Sequence, residues 1–282
     1  MQLHMPNAEL YIPDDTPEAE ALARTTHLAF GAHQDDLEIF SAHGILQGYG
    51  RPDFWYGGVV VTNGAGSPRD DLYADFTDEQ MQVVRRQEQK KAAFLGEYSF
   101  QGLLDFTSAQ VKDPAERAVV EEIKAILLAA RPQIVYTHNL ADKHDTHVAV
   151  ALRTIQAIRE LPADWRPATL WGGEVWRDLD WMTDGDKVAL DVSAHENLQA
   201  ALLGVFDSQI CGGKRYDLAT MGRRKAHATY FATHGVDAAT GLTFAMNMTP
   251  LITDDSLTPA ALVQQRIDAF ADEVKGRLGK LG

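Results

Sequence analysis

Short apolar runs that end in polar clusters are the dominant pattern along the chain. Residues 28–32 form one such run, which breaks at Gly31 and leads into His33 and the carboxylates of 35–38. Residues 134–136 form another, which leads to His138 and then to a second polar cluster at 144–147. Buried parallel strands read as short apolar runs, and ligands of open α/β sheets bind beyond the carboxyl ends of such strands. The pattern therefore predicts two strands whose polar ends meet at one site.

The remaining periodicities predict helices between strands. Residues 57–62 read as a further strand, and the glycine-rich stretch 63–68 after it reads as a loop. Residues 77–80 and 193–196 each match the capping box that begins a helix. A final amphipathic helix follows Thr258, and its apolar side is formed by Val263, Ile267, Phe270 and Val274. Strands that alternate with helices indicate an α/β fold with a mostly parallel sheet.

Length and charge limit the classes of protein that fit. A chain of 282 residues can bury a sizeable core, and α/β folds of this length are commonly one domain. We expect an N-terminal arm over residues 1–24, where no stable period appears, followed by a single domain over residues 25–282. The formal net charge of −14 argues against nucleic acid and anionic membranes as partners. A small-molecule substrate fits this charge better.

Cysteine content and hydropathy point to the compartment. Cys211 is the only cysteine, so neither an internal disulfide nor a thiolate zinc site can form. No apolar run approaches the ~18 residues of a membrane-spanning helix, and the N-terminal residues lack the basic and apolar segments of a signal peptide. We expect a cytoplasmic protein in which any metal ligands are histidine, aspartate or glutamate.

The two polar clusters together match the donor set of a catalytic zinc site. Catalytic zinc commonly takes three protein ligands from histidine and carboxylate and leaves a fourth position open. His33, Asp36 and His147 supply such a set, with one ion expected per chain. Asp35 is then free to accept a proton from the attacking water, and His144 to polarise a carbonyl or protonate a leaving amine.

Two further positions are candidates for substrate contact. The loop 63–68 is predicted to reach the same site as a wall of the pocket, with Asn63 at its start, because its spacing matches no phosphate-binding fingerprint. Trp176 is one of four tryptophans between residues 165 and 181. Tryptophans in such a segment more often pack in the core, but one at a pocket mouth can stack on the apolar face of a sugar ring.

At these residues the sequence resembles the PIG-L/LmbE family of zinc-dependent N-acetylglucosaminyl deacetylases. The first family motif, Ala-His-Pro-Asp-Asp followed by Glu, lies over residues 32–38. The second, His-Pro-Asp-His after a strand, lies over residues 144–147 and is preceded by the similar segment 137–139. Weaker similarity covers the glycine-rich loop at 62–66 and a late segment, 206–209, that ends in Ser-Gln.

The resemblance implies roles for individual residues. It assigns the metal ligands to His33, Asp36 and His147, the general base to Asp35, and the carbonyl-polarising histidine to His144. Three positions depart from the family pattern, namely Gln34 for proline, His43 for glycine, and Thr146 for the aspartate that orients the polarising histidine. Asp145 is the candidate to replace that aspartate, although it comes one position early.

These observations predict a single-domain α/β protein with a Rossmann-like, mostly parallel sheet and helices on both faces. The expected activity is zinc-dependent removal of an acetyl group from an N-acetylated amino sugar or sugar conjugate. One alternative is a related amidase that acts on a thiol or antibiotic conjugate. The other is a non-catalytic sugar- or metal-binding protein on the same fold. A homo-oligomer is compatible with the sequence.

Overall fold

The computed structural model describes all 282 residues, and its centre is a single eight-stranded sheet. The strands are β1 (Glu9–Tyr11), β2 (His27–Gly31), β3 (Tyr56–Thr62), β4 (Phe100–Phe106), β5 (Ile134–His138), β6 (Thr169–Gly173), β7 (Lys187–Asp191) and β8 (Leu242–Asn247). Their spatial order is β1-β4-β3-β2-β5-β6-β8-β7. The five central strands β4, β3, β2, β5 and β6 are parallel, whereas β1, β8 and β7 join antiparallel at the two edges. The prediction of a mostly parallel sheet is confirmed.

The structure contains twelve α-helices. They are α1 (Glu18–Ala23), α2 (Asp36–Phe40), α3 (Ala42–Gly48), α4 (Asp78–Leu95), α5 (Ser108–Lys112), α6 (Ala118–Ala130), α7 (Asp145–Arg159), α8 (Glu196–Gly204), α9 (Asp207–Ile210), α10 (Tyr216–Tyr230), α11 (Pro250–Thr253) and α12 (Pro259–Leu281). No helix is both long enough and apolar enough to cross a lipid bilayer.

Alternating side chains of β2 show why both faces of the sheet are covered. Leu28 and Phe30 belong to one apolar cluster, which includes residues of α6 and α7, and Ala29 belongs to a second, which includes residues of α2 and α8. All five residues of β2 are buried. Because successive side chains of a strand point to opposite faces, a strand buried on both faces must be apolar throughout. The predicted arrangement of helices on both faces is confirmed.

The local predictions have mixed outcomes. Thr77 and Gln80 form the predicted capping box at the start of α4. The capping box predicted at Ser193 is wrong, because His195 precedes α8 in a left-handed conformation and no side chain caps that helix. The Ser193 hydroxyl instead accepts the Thr240 N–H at 2.9 Å, which ties this turn to the start of β8. Residues 1–24 contain β1 and α1, and β1 extends the sheet as its edge strand.

The strand order creates the position of the site. The chain leaves β2 toward β3 on one side, and β5 lies on the other side of β2. Such a reversal in strand order opens a crevice at the carboxyl ends of the strands, which is where open α/β sheets bind their ligands. The segments 32–36 after β2 and 139–147 after β5 both emerge at this crevice.

Candidate metal centre and active site

Three predicted ligands converge where β2 and β5 end. The Nδ1 atom of His33 lies 3.1 Å from Nε2 of His147. The Oδ2 atom of Asp36 lies 3.3 Å from the former and 3.4 Å from the latter. A tetrahedral zinc ion with bonds of about 2.0–2.1 Å separates its ligand atoms by about 3.3–3.4 Å. The donor types and their spacing therefore fit a zinc ion with one coordination position left open.

A fourth buried group, His138, lies beside this triangle. Its ring stacks on that of His147 with centroids 3.9 Å apart, and its Nε2 lies 3.3 Å from Oδ2 of Asp36. The same Nε2 accepts the Ala32 N–H at 2.8 Å. Because this bond occupies the lone pair that a metal would need, His138 fits a supporting role better than a ligand role.

The charge distribution suits metal binding. Burial disfavours the ionised Asp36, but the charge of His147 and a hydrogen bond from the His33 ring hold its pKa well below the usual range. Burial lowers the pKa of His33 to about 4. An ionised carboxylate and a neutral imidazole are the forms in which these side chains bind metal.

Asp35 occupies a strained turn between His33 and Asp36. Its backbone is left-handed, with φ 98°, a conformation that costs a non-glycine residue roughly 1–3 kcal/mol. Two side chains on one face of α4 hold the turn: Gln89 Oε1 accepts the Asp35 N–H at 3.3 Å, and the Arg85 guanidinium donates to the Gln34 carbonyl. The strain is therefore maintained by contacts from a helix about fifty residues away.

The Asp35 carboxylate is buried and lines the same cavity as the three converging residues. Burial raises its pKa well above the usual range, opposed by the guanidinium of Arg85, whose Nη2 lies 3.8 Å from Oδ1. Below the turn, Glu38 accepts hydrogen bonds from Tyr98 at 2.7 Å and Gln89 at 2.9 Å. Gln89 thus links the Glu38 carboxylate to the backbone of Asp35.

Asp142 joins the two segments that surround the histidines. Its Oδ2 lies 3.3 Å from Nδ1 of His147 and accepts the Val175 N–H at 3.1 Å. Its Oδ1 accepts the His144 N–H at 3.0 Å. A carboxylate behind a metal-binding histidine fixes the orientation and tautomer of its ring. The structure thus provides such a partner for His147.

His144 and Asp145 have different surroundings. The His144 ring lines the cavity and packs edge-on against that of His33, with centroids 4.9 Å apart. Burial lowers the pKa of His144. Its Nδ1 accepts the Thr146 N–H at 3.3 Å, so Thr146 contributes its backbone here. Asp145 is exposed as the first residue of α7 and makes no hydrogen bond to His144, so the structure does not bring these two side chains together.

The cavity beside the three converging residues has a volume of about 240 Å³. Its walls come from the glycine-rich loop and from three later segments that contribute Trp176, Gln209, Lys214 and Tyr216. Trp176 is thus at the predicted site. Asn63 is not part of the wall, because its side chain accepts the Ala65 N–H at 3.2 Å and stabilises the turn of its own loop.

The late Ser-Gln segment reaches the site through α4. Ser208 donates its backbone N–H to the Glu88 carboxylate at 2.7 Å and its hydroxyl to the same group at 2.6 Å. The next residue, Gln209, faces the cavity. The Arg85 guanidinium also donates to the Ser67 hydroxyl in the glycine-rich loop. Arg85, Glu88 and Gln89 on α4 therefore hold the turn at 34–35, the glycine-rich loop and the Ser-Gln segment in place.

Most residues of this site lie in a region that is similar to a known protein family. Residues 28–158, which include both polar clusters, match the family model for PIG-L, GlcNAc-PI de-N-acetylase. This part of the chain is therefore similar to the PIG-L family. The match extends from the start of β2 to the end of α7, so the matched region contains all three converging residues. The resemblance read from the sequence is confirmed. No curated protein sequence matches the chain.

Solved structures share the fold of this chain. N,N'-diacetylchitobiose deacetylase from Pyrococcus horikoshii is 15% identical, with 82% of this chain and 88% of that chain covered at a TM-score of 0.58. The A40926 pseudoaglycone deacetylase is 16% identical, with 79% and 97% covered at 0.57. The 4-carboxy-2-hydroxymuconate hydratase GalB from Pseudomonas putida KT2440 is 16% identical, with 83% and 100% covered at 0.62. At these identities the likeness shows a common fold.

Several residues of the site were missed by sequence reasoning. Asp142 lies two residues before His144, between β5 and α7. This position could have predicted that Asp142 contacts the site. Arg85 and Gln89 are one helical turn apart on α4, where their spacing resembles that of ordinary surface residues. Only the fold shows that this face of α4 is buried against the site.

Proposed function

We propose that the protein is a zinc-dependent hydrolase that removes the acetyl group from an N-acetylated amino sugar or sugar conjugate. The observation that carries the proposal is the triangle of His33, Asp36 and His147 donor atoms, 3.1–3.4 Å apart, beside a cavity that a further carboxylate lines. The family match and the deacetylase activity of two structural neighbours support the same reaction.

In this proposal the three converging residues hold one zinc ion per chain. When bound, the ion supplies Lewis-acid chemistry, which polarises the acetyl carbonyl and lowers the pKa of water. A histidine-rich donor set without thiolates is compatible with zinc, and the fourth position is left for the reactants. Asp142 keeps His147 in the orientation that ligation requires.

The remaining polar groups carry the proton transfers. Asp35 takes the proton of the attacking water, because its carboxylate lines the cavity and is not one of the three converging donors. His144 faces the same cavity, and its Nε2–H stabilises the negative charge that develops on the carbonyl oxygen. The proton that Asp35 takes from water then passes to the departing amine. Trp176 offers an aromatic face for the sugar ring.

The two alternatives to this function are hydrolysis of an antibiotic conjugate and non-catalytic binding. The A40926 pseudoaglycone deacetylase has this fold, which favours an antibiotic conjugate as the second candidate substrate. The hydratase GalB has it too, so the fold alone does not determine the reaction. A non-catalytic binding protein would not require a carboxylate held at φ 98° beside its metal ligands.

The test measures metal content and acetate release together. Elemental analysis of the purified protein should find about one zinc per chain, and His147→Ala should remove it. The zinc-loaded protein should release acetate from a panel that contains N-acetylglucosamine, N,N'-diacetylchitobiose and N-acetylglucosaminyl glycopeptides. Tight binding of one of these compounds without acetate release would instead favour the binding protein.

A substitution at Asp35 separates hydrolysis from binding. Asp35→Asn preserves size but removes the base, so it should keep the zinc and lose a factor of about 10²–10⁴ in turnover. Asp164→Asn, at an exposed position outside the cavity, is the matched control and should behave like the parent. Undiminished hydrolysis by Asp35→Asn would refute the assigned base.

A further inference from the structure

The C-terminal helix α12 extends away from the rest of the protein. Its first turns are anchored by the buried Leu262 and by an ion pair of 2.6 Å between Arg266 and Asp186. Residues 268–282 make hydrogen bonds and ion pairs only within the helix itself, and all of those from 272 onward are exposed. The eleven residues 272–282, or roughly 16 Å of helix, therefore lack a partner in the chain.

A continuous apolar stripe runs along α12 and into this extension. Its members recur three or four residues apart and lie on one side of the helix: Ile267, Phe270, Val274, Leu278 and Leu281. Leu278 is 67% exposed and Leu281 83% exposed. The extension also contains two glycines, which weaken a helix in isolation. Because most helical stability in proteins comes from packing an apolar face, this segment requires a partner surface.

The charges beside the stripe indicate which surface that is. The half of the stripe before Val274 is flanked by Asp268 and Glu273, and the half after it is flanked by Lys275 and Arg277. Two antiparallel copies would place the acidic part of one helix beside the basic part of the other, while parallel copies would place like charges side by side. An anionic membrane is a poor alternative, because its amphipathic ligands carry a predominantly basic polar face.

We propose that α12 is a dimerisation helix that packs antiparallel against α12 of a second copy of this chain. Around a two-fold axis near Val274, the stripe is self-complementary: Phe270 then faces Leu278 of the other copy, and Ile267 faces Leu281. The acidic residues that flank the stripe in one copy lie beside the basic residues that flank it in the other copy. The inference is independent of the proposed enzymatic activity.

Mass measurements on the full-length chain test the contact. Sedimentation or light scattering at about 1–100 µM, the range in which interfaces of modest size dissociate, should show a shift toward twice the monomer mass. Leu278→Glu places a charge in the stripe and should weaken the dimer at least about tenfold. Gln265→Glu, on the opposite side of α12, is the matched control and should dimerise like the parent. A parent that stays monomeric throughout, or a Leu278→Glu dimer of unchanged affinity, overturns the proposal.

Charge reversal and cross-linking test the direction of packing. The double variant Lys275→Glu/Arg277→Glu should dimerise poorly alone, and so should Asp268→Lys/Glu273→Lys, but an equimolar mixture should form a heterodimer. In a Cys211→Ser background, Ile267→Cys should form a disulfide with Leu281→Cys when the two chains are mixed. Efficient cross-linking of Leu281→Cys with itself would show parallel packing and overturn the antiparallel arrangement.

Discussion

Replacing Asp142 by asparagine tests how the metal centre is oriented. The Asp142 carboxylate accepts the His144 N–H on one oxygen, and on the other it faces the Val175 N–H and the His147 ring. Asparagine has only one acceptor oxygen. Whichever way the asparagine amide is turned, its NH₂ group must face an N–H donor whose hydrogen bond the carboxylate accepted in the parent.

The magnitude follows from these contacts. Loss of a partner behind a metal-binding histidine typically lowers metal affinity about 10–100-fold, which corresponds to about 1.4–2.7 kcal/mol. A buried donor left without an acceptor costs a further 1–3 kcal/mol, roughly, in folding stability. The metal-free Asp142→Asn protein should therefore unfold at lower urea concentration than the parent, in addition to binding zinc less tightly.

A competition titration with a chromophoric chelator measures the zinc affinity directly. Asp145→Asn is the matched control, because it removes the same charge three residues along the chain from an exposed side chain without a contact to the histidines. We expect Asp142→Asn to raise the zinc dissociation constant about 10–100-fold and Asp145→Asn to leave it unchanged. Equal affinities for all three proteins, or a larger effect at Asp145, would refute the assignment of Asp142.

Three further predictions concern the turn, the loop and a buried acid. Gln89→Leu removes the acceptor for the Asp35 N–H, so turnover should fall while zinc content stays constant; unchanged turnover would show that the turn does not need this bond. Gly64→Ala should cost about 1–2 kcal/mol in urea unfolding, because Gly64 has φ +72° and a Cβ would lie 2.4 Å from Gln34. Gly66→Ala meets no atom within 4 Å and should be neutral, so equal losses would contradict this explanation. Burial raises the pKa of Glu174 to about 7. Glu174 should therefore contribute up to about 3 kcal/mol to the free energy of unfolding below about pH 4.5, and this contribution should be lost as the pH rises through 7. Parallel stability–pH curves for the parent and Glu174→Gln would exclude this effect.

The sequence by itself determined the sheet and the location of the site. The apolar runs before His33 and His138 became adjacent parallel strands β2 and β5, because a strand buried on both faces must be apolar along its length. Parallel strands present their carboxyl ends at one edge, so the polar clusters that follow them had to meet. His33 and Asp36 are three residues apart, so their relative position depends on local backbone geometry, which can be inferred from the sequence.

Only the tertiary structure decided which side chains support that site. Asp145 and Asp142 are equally acidic and both lie near His144, but the turn before α7 buries Asp142 behind His147 and leaves Asp145 exposed. The direction of a side chain in a turn depends on backbone angles and on its neighbours in space. The same holds for Gln89, whose contact with the Asp35 backbone spans 54 residues of sequence. No local pattern encodes such a contact, because it exists only once α4 has packed against the end of β2.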